Sequence, residues 1–103
     1  MKPKSLKIKK LENERYSILA PDLDVCFVCG RCRDHLHEVF FGNNRINSMK
    51  YGCVVPLCER CHSFVHSHRG LDLELKKKAQ KAFLDVYGCD VDSFVDIFHV
   101  NYL

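Results

Sequence analysis

The residues of this chain best suited to chemistry are its seven cysteines and six histidines, most of which lie between residues 26 and 68. CFVC (residues 26–29) and CERC (residues 58–61) form two C-x2-C pairs with 28 residues between them. A tight turn can bring both thiolates of such a pair to about 2.3 Å from one zinc ion, and two pairs complete a closed tetrahedron of the structural kind. A site of that type can contribute on the order of 10 kcal/mol to the folding of a small domain. CFVCGRC also offers Cys29 with Cys32. The glycine directly after Cys29 favours Cys26 with Cys29, because the turn of a knuckle often needs positive φ there. Cys32, Cys53 and Cys89 are then spare, the last two most simply as small buried apolar residues.

Using Cys58 and Cys61 for zinc leaves His62 and His66. Four residues apart on a helix, they stack on one face and can share a second ion. Putting Cys58, Cys61, His62 and His66 on one ion would force the adjacent residues 61 and 62 to converge, although a helix turns them about 100° apart. It would also orphan the first cysteine pair. Two metals is the better reading. Further ligands are offered upstream by Asp34, His35, His37 and Glu38 in RDHLHEVFF. On a strand His35 and His37 share one face, and Leu36 and Glu38 the other.

The elements that must position these groups are legible in outline. LHEVFFG (36–42) reads as a strand stopped by a turn at Gly42-Asn43-Asn44, and YGCVVPLC (51–58) as a second strand whose Pro56 suits an edge or a knuckle. ERCHSFVHSH meets no breaker before Gly70 and is expected to be a short helix. A longer helix is expected from about Asp72, as its cap, to Gly88, with Leu75, Ala79, Ala82, Phe83 and Val86 at helical spacing. A last helix is expected from near Asp92, with Phe94, Val95, Phe98 and Tyr102 as its apolar stripe. The first 15 to 20 residues read as an arm ending in ILAPDLD, where Pro21 and two aspartates interrupt any helix.

Composition narrows the setting. At 103 residues the chain is one domain by length, with a thin core. An odd number of cysteines and the absence of an apolar run in MKPKSLKIKK point away from a secreted disulfide scaffold and towards a reduced, cytoplasmic metalloprotein. No apolar run approaches the roughly 18 residues of a membrane span, so no membrane partner is expected. The net charge of +3 is unevenly placed. Residues 1–15 carry five Lys and one Arg against two Glu, whereas residues 84–103 carry four Asp and no Lys or Arg. A basic arm ahead of a metal domain suits a phosphate-rich partner, and equally a solvated, disordered tail.

The order CFVC, HE, CERCHSFVH resembles the HNH endonucleases of the ββα-metal class over about residues 26–68. HEVFFG, MKYGCVVPLC and LDLELKKKAQKAF look more specifically like short HNH proteins of phages and prophages. The resemblance implies an α+β fold: a basic arm (1–20), a ββα-metal finger built on a four-cysteine zinc knuckle pair (21–70), and two C-terminal helices packed on it (71–103). It implies structural Zn²⁺ on Cys26, Cys29, Cys58 and Cys61. His37, His62 and His66 would hold a catalytic divalent ion (Mg²⁺, Mn²⁺, Ni²⁺ or Zn²⁺) for hydrolysis of DNA phosphodiesters.

Glu38 falls in the slot where that family places a histidine general base, which makes it the first candidate for the base. His35 is the second, since an ordinary imidazole titrates near neutrality. No Asn precedes LC at the usual place, and Asn44 and Asn47 are the available substitutes. Arg45, Lys50 and Arg69 could position the phosphate backbone. Targeting could come from a protein partner, and the chain could act as a monomer or a homodimer. The alternative is a noncatalytic zinc module, a degenerate HNH domain that binds nucleic acid or a protein.

Overall fold

A computed structural model describes residues 6–103, so the first five residues of the expected basic arm lie outside the described residues. The order of elements is α1 (Leu6–Asn13), β1 (His35–Glu38), a 3-10 turn (Gly42–Asn44), α2 (Arg45–Tyr51), β2 (Val54–Leu57), α3 (Glu59–Ser67), α4 (Arg69–Tyr87) and α5 (Val91–Phe98). The class is α+β, with five α-helices and one two-stranded antiparallel sheet among the described residues.

The sheet pairs His35 with Leu57 and Glu38 with Val54. One further rung, from Val39 N–H to the Cys53 carbonyl at 2.9 Å, carries the pairing past the end of β1. Pro56 sits opposite Leu36, and its carbonyl accepts the Phe27 N–H at 2.8 Å. In a two-stranded sheet every strand is an edge, which is where a proline is tolerated.

The core lies between this sheet and the C-terminal helices. Phe40 leaves β1 to meet Phe94 and Phe98 of α5, with ring centroids 5.4 and 4.7 Å away, and Phe83 of α4 joins both. Leu75, Ala79 and Phe83 are buried on one face of α4, at the helical spacing that the sequence shows. Gln80, also buried, uses both ends of its amide. It donates to Asn101 Oδ1 and accepts the Tyr102 N–H, each at 2.8 Å, which fastens the C-terminal segment.

Several boundaries differ from the expected ones. The strand expected over 36–42 is β1, which starts at His35 and stops at Glu38. Between the expected turn at 42–44 and the second strand lies α2, whose Ser48 and Met49 are buried, and that strand, expected over 51–58, is β2. α4 starts at Arg69 with Gly70 in its first turn, so Gly70 does not break the chain and Asp72 is not the cap. Asp72 instead accepts from Lys76 Nζ at 2.8 Å, an i,i+4 pair along the helix. Gly88 does end α4, in the left-handed conformation (φ 60°). α5, expected from near Asp92, starts at Val91 and is capped by Asp90, whose carboxylate accepts the Ser93 N–H, and Tyr102 lies beyond the helix. The arm contains a helix, α1, docked beside α2. No helix among the described residues is long and apolar enough to cross a membrane.

Candidate metal centres

The first knuckle is a small hairpin. The Cys26 N–H reaches the Arg31 carbonyl at 2.6 Å, Val25 bridges Cys32, and Gly30 turns the chain at φ 78° while donating to the Cys26 carbonyl. That is the positive φ expected of the glycine after Cys29. The second knuckle joins β2 to α3. Cys58 is the N-cap of α3, and its Sγ accepts the Cys61 N–H at 3.5 Å.

These two turns place one ligand atom each from Cys26, Cys29, Cys58 and Cys61 within 4.8 Å of one another. The sulfurs of Cys29 and Cys58 lie 3.6 Å apart. Four thiolates at about 2.3 Å from a central zinc stand roughly 3.8 Å from each other, so the spacing fits. The electrostatics fit as well. Burial opposes ionisation of Cys26, but the backbone N–H groups around Cys29, Cys58 and Val28 outweigh it and bring its pKa down to about 6. Cys61 is pushed up to about 12, by burial and then by the neighbouring sulfurs. Four thiolates cannot gather here without a cation. The four cysteines could hold a structural zinc, and Cys32 lies outside the group. Cys53 is fully buried, with its thiol pushed up to about 12 by that burial, so it is an inert part of the core.

A second group lies on the other side of α3. His37 of β1 and His62 and His66 of α3 bring their ring nitrogens within 4.8 Å of one another. The Nε2 atoms of His62 and His66 are 3.1 Å apart, as stacking at i and i+4 requires. His37 stands edge-on to both, at centroid distances of 5.4 and 5.3 Å. It is 3% exposed, yet its Nε2 has no hydrogen-bond partner. A buried imidazole nitrogen rarely goes unpaired. Burial first, then the charges of His62 and His66, lowers its pKa to about 4, and burial likewise lowers that of His62. The imidazoles of His37 and His62 are therefore held neutral, with lone pairs available, which is the form a metal takes.

His35 shares the face of His37, as strand alternation requires, and its ring packs on His62 at a centroid distance of 4.6 Å. Phe41 flanks the group on its open side, 5.8 Å from His66, with Lys76 Nζ 4.4 Å from its ring.

Glu38 faces away, into an ion-pair ring that the sequence does not disclose. Its Oε1 lies 3.1 Å from Arg15 and 3.3 Å from Arg45, and Glu12 pairs with the same two arginines at 3.2 and 2.7 Å. The Arg45 pKa is raised, chiefly by its hydrogen bond to Glu12. Arg45 is thus engaged inside the molecule, whereas Lys50 and Arg69 are exposed. Asn44 and Asn47 are also accounted for structurally. Their amides donate to the carbonyls of Phe98 and Ile97 at the end of α5, which ties them to packing rather than to the histidines. The participants that sequence reasoning missed are Glu12 and Arg15. Their only local signal is an i,i+3 charge pair.

The chain matches no protein-family model, no curated protein and no solved structure.

Proposed function

We propose that this protein is a metal-dependent endonuclease of the HNH, ββα-metal kind, hydrolysing DNA phosphodiesters. The observation that carries the reading is a cluster of three imidazoles beside a separate, complete group of four cysteines. A closed four-thiolate site has no position left for a substrate, whereas three protein imidazoles leave one or more positions open. A divalent cation (Mg²⁺, Mn²⁺, Ni²⁺ or Zn²⁺) on His37, His62 and His66 would supply Lewis-acid stabilisation of the charge that builds on a phosphate under attack.

The protein's own groups do the rest. The three rings stand on regular elements, His37 on β1 and His62 and His66 one helical turn apart on α3. His35, on the same face, would take the proton from an attacking water. Glu38, the base by family position, is paired with two guanidiniums and is better suited to anchoring β1. That pairing is also the observation that favours the second reading, a noncatalytic zinc module binding nucleic acid or a protein.

The deciding experiment is supercoiled-plasmid cleavage by zinc-loaded protein with Mg²⁺, Mn²⁺ or Ni²⁺ added, beside His62→Ala. Metal-dependent nicking is expected from the parent. The variant should lose it while keeping its fold and one equivalent of zinc. Absence of cleavage with every ion, by folded and zinc-bound protein, would leave the noncatalytic module as the reading.

A further inference from the structure

α1 and the two residues after it present two stripes. Glu12 and Arg15 turn towards β1 and the start of α2 in the ion-pair ring described above. Lys7, Lys10 and Leu11 fall at i, i+3 and i+4 on the adjoining face, and Glu14 continues it. Opposite them α2 offers Ile46 and Lys50, one helical turn apart. These residues line a surface groove of about 410 Å³. Lys7, Lys10 and Lys50 are exposed and, among the described residues, have no ion-pair partner. Glu14 is the one acidic side chain lining the groove. Leu11 and the 42% exposed Ile46 give it an apolar floor. Asn47 also lines the groove, but its amide is spent on the Ile97 carbonyl.

The contrast with the arginines is what gives the groove meaning. Arg15 and Arg45, which pair with Glu38 on the strand that carries His37, are each held by two carboxylates. Lys7, Lys10 and Lys50, lining one groove, have no such carboxylate among the described residues. Arg45 and Ile46 are consecutive, as are His37 and Glu38, so the ion-pair ring links the groove rigidly to the strand that carries His37. A run of unpaired ammonium groups over an apolar floor matches a sugar–phosphate backbone, with phosphates on the lysines and deoxyribose on Leu11 and Ile46.

We propose that the α1–α2 groove is a docking track for the backbone of duplex DNA, flanking the phosphate presented to His37, His62 and His66. The identity of the polyanion rests on the nuclease reading; the groove and its free charges do not. The arm then belongs to the substrate-binding surface.

The test is the salt dependence of binding to a short fluorescein-labelled duplex, measured by anisotropy on the full chain in a His62→Ala or His66→Ala background. Lys7→Gln, Lys10→Gln and Lys50→Gln together should make the slope of log K against log salt shallower by about 1 per lysine. The same neutralisation of Lys77, Lys78 and Lys81, exposed on α4, should leave it unchanged. An unchanged slope for the groove variant, or an equal change for the α4 variant, overturns the proposal. Plasmid nicking by the parent separates the two readings. Nicking with an unchanged slope overturns the groove alone. A shallower slope without nicking upholds the groove as a DNA track and overturns the nuclease.

Discussion

At the scale of single residues, β1 sends its two kinds of ionisable group to opposite sides. His35 and His37 meet α3, while Glu38 meets Arg15 and Arg45. The division predicts opposite outcomes for two substitutions. Glu38→Gln leaves Arg15 and Arg45 sharing Glu12 alone. The ring is partly exposed, with Arg45 at 35%, so the loss of stability should be about 1 kcal/mol once solvent screening is allowed for. Most of the proposed cleavage activity should survive. His35→Ala removes an exposed side chain and should leave the melting temperature nearly unchanged. It should slow single-turnover cleavage by roughly 10²- to 10⁴-fold, the usual contribution of a positioned general base. Thermal melts and single-turnover rates on the two variants check both halves. The reverse pattern, with Glu38→Gln folded but inactive and His35→Ala indifferent, would return the proton transfer to Glu38.

At the scale of elements, Gly52 holds the chain where α2 turns into β2 and where the segment after α1 crosses. Its φ is 75°, and a Cβ there would fall 2.5 Å from Tyr16 Cε2 and 3.0 Å from Ile18 Cγ2. The crossing is fastened from the Tyr16 hydroxyl to the Lys50 carbonyl at 2.7 Å and from the Ile18 N–H to the Gly52 carbonyl at 2.9 Å. Gly52→Ala should therefore cost roughly 2 kcal/mol, part backbone strain and part displacement of Tyr16. Gly88→Ala, at φ 60° with open space around it, should cost only the backbone share of about 1 kcal/mol. Equal losses in denaturant titrations would mean that the Tyr16 segment is not held at Gly52.

The same crossing shows which elements a sequence discloses. α4 and α5 carry apolar stripes over several turns, and the knuckles carry fixed cysteine spacing, so both are readable. α1, although as long as the eight-residue α5, buries no side chain, and the seven-residue α2 buries Ser48 and Met49, so neither shows an apolar stripe. Gly70 looks like a breaker, yet it lies inside the first turn of α4. The histidine cluster was legible because an i,i+4 pair and a strand alternation both point into it. The fate of Glu38 was not, because its partner Arg15 lies 23 residues away and is brought there only by the docking of α1.

At the scale of the whole molecule, the two centres are not independent. Cys58 and Cys61 sit at the start of α3, and His62 and His66 occupy its next turns, so the helix that completes the thiolate group also presents the imidazoles. Cys26 and Cys58 belong to the same continuous core as Phe40, Phe83, Phe94 and Phe98. Loss of the proposed zinc would put repelling thiolates into that core and remove an apparent contribution on the order of 10 kcal/mol, comparable to the whole stability of a domain of this size. A zinc chelator at neutral pH should therefore unfold the chain in one cooperative transition and abolish binding of a probe metal at the histidines at the same point, and added zinc should restore both. His62→Ala, which lacks only the second group, should unfold with chelator in the same way. Circular dichroism and tyrosine fluorescence followed together through a chelator titration make the check. A first transition that releases α3 while the phenylalanine core stays folded would show that the thiolate centre stabilises a local unit, and the coupling of the two centres through the core would fail.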